Sequence, residues 1–151
     1  MKVKGFTLIE VIVVIAIIAA LSAILIPVMA SYVKDSKIAA VSANAKNVYS
    51  ASQTALIASI ANNDDIKTVA GGSVYVCTSD GVAKCSGQPD IDMKPYLGEP
   101  FTEYFAFKIS DDGSRVDYAL WSNEPFADTR QLTEEEVGTA PINVGCYPFK
   151  D

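Results

Sequence analysis

The chain has no histidine among its 151 residues. That absence removes the Ser-His-Asp and Cys-His arrangements of nucleophilic catalysis and every metal site that uses imidazole. Cysteine is sparse, with Cys77, Cys85 and Cys146 only, and there is one tryptophan, Trp121. No glycine-rich phosphate loop is present, because Gly71-Gly72 and Gly98 lack its spacing. Acids are scarce in the first part of the chain: residues 1–62 carry five lysines and two acids, a balance of +3. From residue 63 onward there are 7 Lys or Arg and 16 Asp or Glu, a balance of −9, so the whole chain stands at −6. An acidic second part lacks the basic surface that displaces counterions from nucleic acid, so no direct nucleic-acid partner is expected.

The chain does have an apolar run from residue 6 to residue 33, with Glu10 as its single charge. At roughly 1.5 Å per residue this run is long enough to cross a hydrocarbon core of about 30 Å. A charge near the bilayer centre costs about 2.5–3.5 kcal/mol on insertion scales, so Glu10 implies either a role that outweighs the cost, with a positively charged partner, or a side chain that snorkels to the nearby cytoplasmic interface. Lys2 and Lys4 precede the run and hold that end on the cytoplasmic side. Ala16 with Ala20, and Ala19 with Ala23, place small residues at helical spacing, which lets helices approach closely in lipid. Pro27 removes one backbone donor, and a kink or a locally melted turn is expected there.

Helical periodicity continues past the run. Ile38, Val41, Ala45, Val48, Ser52, Leu56 and Ile60 form one apolar or small stripe, with Lys37, Lys46, Asn47 and Gln53 away from it. One helix of roughly 55 residues, about 80 Å long, is the economical reading. Asn62-Asn63-Asp64-Asp65 should end it, and Gly71-Gly72 marks a loop. Strands are predicted over 73–78, 102–110, 115–122 and 142–149. The second and third are joined at Asp111-Asp112-Gly113-Ser114, an Asp-Gly hairpin signal. Residues 123–141 read mostly as loop, and Thr133 with Glu136 suggests a capping box on a short helix. Glu134, Glu135 and Glu136 suit a helix N-terminus, where acids oppose the dipole. The expected fold is α+β: a long N-terminal helix, half membrane-spanning and half amphipathic, packed on a small antiparallel sheet. Trp121, Tyr104, Phe105 and Phe107 read as sheet core.

Lys4-Gly5-Phe6-Thr7-Leu8-Ile9-Glu10, followed by an apolar run containing Pro27, resembles the leader and N-terminal helix of type IV pilins and related pseudopilins. The resemblance covers about 30 residues, and beyond residue 62 only the general plan of helix, loop and sheet is shared. It implies that a prepilin peptidase cuts between Gly5 and Phe6 and methylates Phe6. It implies that Glu10 pairs with the N-terminal amine of a neighbouring subunit and that Pro27 is the family's helix-breaking proline. The physical logic agrees, because cleavage creates an ammonium in an apolar setting, and two buried opposite charges are tolerable only as a pair. A staggered, heterologous contact of this kind does not close, so it builds a filament.

The expected division is leader 1–5, membrane and assembly half 6–33, amphipathic half 34–62 and head 63–151. The resemblance implies a structural subunit of a type IV pilus and not an enzyme, with no cofactor. Its partners would be further copies of itself, the peptidase, an assembly platform with its ATPase, and the inner or plasma membrane. The prepilin would cross that membrane once with its head outside, and the mature chain would then sit in an extracellular, adhesive filament. Three other readings use the same residues. One is a pseudopilin of a type II secretion or DNA-uptake machine. A second is a membrane-anchored extracellular binding module. The third is an ordinary secretory signal cut after Val28-Met29-Ala30, before Ser31.

The cysteines lie beyond the membrane segment, where an oxidising compartment can pair two of the three. Cys77 and Cys85 flank a turn at Ser79-Asp80-Gly81, and a bond between them would close a short hairpin. Cys146 paired with either would tie the C-terminal segment to the sheet, as pilin heads often do. The Cys77–Cys85 pairing is favoured. Asp90 and Asp92 supply oxygen ligands of the kind calcium uses, and some pseudopilins bind calcium in a head loop. Two acids without the spacing of a calcium loop read better as solvated loop residues.

Overall fold

The computed structural model describes residues 5–62, 70–79, 83–86, 91, 93–97, 103–137 and 143–150. A helix α1 runs from Leu8 to Asn62, 55 residues, and passes through Pro27 without interruption. The melted turn expected at Pro27 is therefore absent. One missing donor removes one bond of the ladder, and the turns on either side keep theirs. The chain divides into two compact units, Met1–Ser36 and Lys37–Asp151.

In the first unit no described residue is buried, and Ile9, Val13, Ile17, Ile24 and Ile26 all stand exposed. The helix is apolar all round here, as expected of a segment whose surroundings are apolar too.

The second unit holds the remainder of α1 and a five-stranded sheet. The strands are β1 (Val74–Ser79), β2 (Ala83–Ser86), β3 (Tyr104–Ile109), β4 (Val116–Ser122) and β5 (Val144–Tyr147). Their order is β2-β1-β3-β4-β5, with every neighbouring pair antiparallel. A single helical turn, α2 (Lys94–Leu97), precedes β3. Helix α2 was not foreseen, and β2 was expected only as the return arm of a Cys77–Cys85 hairpin, not among the predicted strands. Ala83-Lys84-Cys85-Ser86 has no β-branched or aromatic residue and is too short to show a period.

Register explains which face each strand residue takes. Cys77 stands opposite Phe105, Phe105 opposite Trp121, and Trp121 opposite Gly145, giving one cross-strand row. The adjacent row, Ala106–Leu120–Cys146, points to the other face because strand side chains alternate. On the first face Phe105, Phe107, Tyr75 and Ile109 pack against Val48, Ala51, Ala55 and Leu56 of α1. Tyr75 stacks on Phe107 with ring centroids 5.0 Å apart. Each such large apolar side chain contributes roughly 1.5–3 kcal/mol by its burial.

Small residues let α1 and the sheet close tightly. A Cβ on Gly145 would collide with the carbonyl of Val41 and crowd Ala45, so only glycine fits at this point of β5. Beside it, Tyr49 meets Tyr147 edge-on at 5.3 Å, and the Lys46 ammonium lies 5.6 Å from the Tyr147 ring centroid. Gln53 accepts a hydrogen bond from the Val116 N–H at 2.8 Å. Lys46 and Gln53 lie off the apolar stripe of α1, yet both clamp the sheet from its margins.

The opposite face is covered by residues 123–137 and not left as a free loop. Leu132 and Val137 lie on Ala106, Tyr118, Leu120 and Cys146. The cover is tied down by the Tyr118 hydroxyl donating to the Thr129 carbonyl at 2.7 Å and by the Lys150 N–H donating to the Leu132 carbonyl at 2.9 Å. Arg130 grips Glu136 at 2.6 Å and Asp128 at 3.0 Å. The short helix expected after Thr133 is only a turn. The Glu136 carboxylate accepts from the Thr133 N–H at 2.9 Å, as a capping residue does, but it is also committed to Arg130. That ion pair and hydrogen bonding hold Glu136 down to about 2, from an ordinary 4.5.

The β3–β4 connection is wider than a two-residue Asp-Gly hairpin. Asp112 accepts from the Ser110 hydroxyl at 2.6 Å and from the Ser114 N–H at 3.0 Å, while Gly113 takes φ 69°. The register shifts at Lys108/Ile109, which lengthens the connection.

Candidate assembly site at the start of the helix

Residues 5–7, ahead of α1, are irregular and exposed. Gly5 is exposed and nothing lies within 4 Å of where its Cβ would stand. Phe6 is 88 % exposed. Thr7 then caps the helix. Its N–H donates to Glu10 Oε2 at 2.8 Å and its hydroxyl donates to the same oxygen at 2.7 Å. In return the Glu10 N–H lies 3.4 Å from the Thr7 hydroxyl. This is a capping box, in which a Thr and a Glu three residues on satisfy each other's orphan backbone donors. A carboxylate here also opposes the positive end of the helix dipole.

Glu10 thus has a second occupation beside the one its position in an apolar run suggests. Both Thr7 donors fall on Oε2. The signal was legible: Thr7-x-x-Glu10 has the same form as Thr133-x-x-Glu136, but the unusual charge obscured it. Ala16, Ala19, Ala20 and Ala23 are exposed and keep their helical spacing.

The remaining candidates fall elsewhere. Cys77 and Cys85 are direct partners in the β1–β2 ladder. Cys146 is a free, buried thiol, so the pairings that tie the C-terminal segment through Cys146 are not formed. The Leu132 N–H donates to its sulfur at 3.4 Å. Burial pushes that thiol up, the Leu132 N–H opposes the shift, and the Glu136 charge adds to it. Asp90 and Asp92 lie outside the described residues. Among the described residues no group of three or more Cys, Asp or Glu is placed to hold a metal ion.

Together these features define a class of protein: an α+β molecule whose first helix is long and apolar enough to cross a membrane, with a self-capped carboxylate at its start. Residues 1–26 match the family model described as the prokaryotic N-terminal methylation motif. The chain therefore carries a leader of the type IV pilin and pseudopilin class. No curated protein and no solved structure matches the chain. The leader supports a type IV pilin-like or pseudopilin protein, anchored in the membrane, processed by a prepilin peptidase and then assembled. It points to a structural subunit and not to an enzyme.

Proposed function

We propose that this chain is a structural subunit of a type IV pilus, cut between Gly5 and Phe6, methylated at Phe6 and polymerised through residues 6–33. The observation that carries this reading is the position of Glu10 within an N-terminal methylation motif, with Gly5 and Phe6 exposed ahead of it. The ammonium created at Phe6 of one subunit pairs with the Glu10 carboxylate of its neighbour, and the run around it exchanges lipid for other copies of itself. The head, residues 63–151, then faces outward in an extracellular, adhesive filament with an acidic surface.

Two measurements test the proposal. Sequencing the mature protein should begin at N-methylated Phe6; a start at Ser31 would instead identify a secretory signal and end the pilin reading. Glu10→Ala should leave cleavage largely intact and abolish filaments, and filaments at wild-type yield would reject the pairing role and favour a membrane-anchored binding module. The pseudopilin of a secretion or DNA-uptake machine shares this assembly chemistry. Electron microscopy separates the two, since a long surface filament belongs to the pilus and a short envelope-spanning one to the pseudopilus.

We also propose a Cys77–Cys85 disulfide across the β1–β2 ladder, with Cys146 left reduced. The direct register of the two residues supports it, because paired positions in an antiparallel ladder bring Cα atoms to about 4.5–5.5 Å, within disulfide reach.

A further inference from the structure

The second unit carries a groove of about 570 Å³ at the shoulder of α1. One wall is the helix, with Asn44, Asn47 and Thr54 at spacings that put them on one flank. The other wall is Tyr96 of α2, Glu103 just before β3, and Trp121 of β4. The size falls in the range of small-molecule sites, roughly 300–1,000 Å³.

The lining is unusual for a helix shoulder. Solvent-facing helical positions commonly carry lysine and glutamate, yet here the helix contributes no charged side chain: the amides of Asn44 and Asn47 and the hydroxyls of Ser50 and Thr54 stand beside Val48 and Ala51. None of the described lining residues is cationic, so none of them offers a counterion to a phosphate, sulfate or carboxylate. Two aromatic rings stand across from the amides. Tyr96 is 39 % exposed, and Trp121 is only partly buried although its neighbours in the same sheet, Phe105 and Phe107, are fully buried. Trp121 packs its inner side on the core and turns the remainder to the groove.

Amphipathic rings opposite uncharged donors and acceptors match a ligand with apolar faces and a hydroxylated rim. A pyranose ring has that form: its C–H faces lie on aromatic surface, and its hydroxyls exchange hydrogen bonds with amides and a carboxylate. A neighbouring protein surface fits less well, since the core of such a contact is apolar and arginine-rich, whereas here Asn44, Asn47, Ser50, Thr54 and Glu103 interleave with the apolar lining. We propose that the α1 shoulder groove is a binding site for a neutral oligosaccharide. The proposal does not depend on filament formation, and it stands or falls separately from the assembly role of Glu10.

Because Trp121 is the only tryptophan in the chain, its fluorescence reports on the groove directly. The experiment titrates the full-length protein, in micelles of a detergent without a sugar headgroup, with N,N′,N″-triacetylchitotriose, maltotriose and a sulfated disaccharide. The expected result is a saturable change in Trp121 emission with at least one neutral trisaccharide, at a Kd of about 1 mM or below. Asn47→Ala and Tyr96→Ala, with circular dichroism unchanged, should each weaken that binding by about tenfold. The proposal is overturned if neither neutral sugar gives saturation, if the sulfated sugar binds equally well, or if both variants titrate like wild type. It is also overturned if emission follows protein concentration and not sugar, because the groove is then occupied by a second copy of the chain.

Discussion

Helix α1 is one element in two environments, and the contrast between its halves shows what a helix needs in order to hold a position. Up to Ser36 the helix is almost wholly apolar and buries nothing within its own chain. From Lys37 onward it is amphipathic and buries Ala45, Val48, Ala51, Ser52, Ala55 and Leu56 against a sheet. Backbone geometry is the same throughout, so only side-chain pattern separates the two. An all-apolar surface commits a helix to an apolar solvent or to other helices, without choosing an orientation. A stripe commits it to one partner in one orientation. At its start the first half carries the Thr7–Glu10 box, and further along the Ser31 hydroxyl donates to the Val28 carbonyl at 2.9 Å.

The contrast can be broken most severely at Glu10. Glu10→Ala should remove filaments altogether in electron micrographs, while thermal unfolding of the head is unchanged, because the substitution lies in the half that contributes nothing to that core. Next in size, Phe107→Ala should destabilise the head by about 3–5 kcal/mol, whereas Ile17→Ala in the first half should change its unfolding free energy by less than about 0.5 kcal/mol. Equal effects from the two would erase the distinction between the halves. Gly145→Ala should cost about 1–3 kcal/mol, since the new methyl group has to push the Val41 carbonyl away. A neutral result in chemical denaturation would show that α1 and β5 are more loosely apposed than described.

Two smaller effects concern the sheet alone. With Cys77 and Cys85 paired, the denatured, unreduced protein should give one thiol per chain, and the folded protein close to none on the same timescale, because Cys146 is buried and its thiol is pushed up. Three thiols after denaturation would reject the disulfide. Smallest of all is the pH response of the cover over the second face. Glu136 titrates below its ordinary value in the folded state, so the stabilisation from its bond to Arg130 is complete above about pH 4.5 and fades as pH falls toward 2. Glu136→Gln should flatten that part of the stability profile, and an unchanged slope would show that the pair contributes nothing.

Much of this architecture was legible in the sequence, and the reasons differ from residue to residue. The end of α1 at Asn62 followed from a Pro- and Gly-free stretch closing on Asn and Asp. Strands β1, β3, β4 and β5 followed from alternation between turn residues. What escaped depended on neighbours far along the chain. Residues 123–137 have no periodicity, and their role as a cover exists only because Tyr118, Leu120 and Cys146 present an apolar row for Leu132 and Val137 to close. At Pro27 the melted turn did not form, since the surrounding helix tolerates one lost donor. At the candidate sites, Glu10 was found by its misplaced charge, whereas Trp121 was assigned to the core because composition cannot show that one edge of a core residue faces a groove.

The capping box has a consequence for how such chains can vary. Every atom that starts α1 belongs to Thr7 or to residues after it. A cut between Gly5 and Phe6 would therefore discard no part of the helix's own start signal, and the mature chain inherits a finished end. Under the proposed cleavage, the sequence ahead of the cut is free to answer to the enzyme that reads it, without renegotiating the capping box that follows.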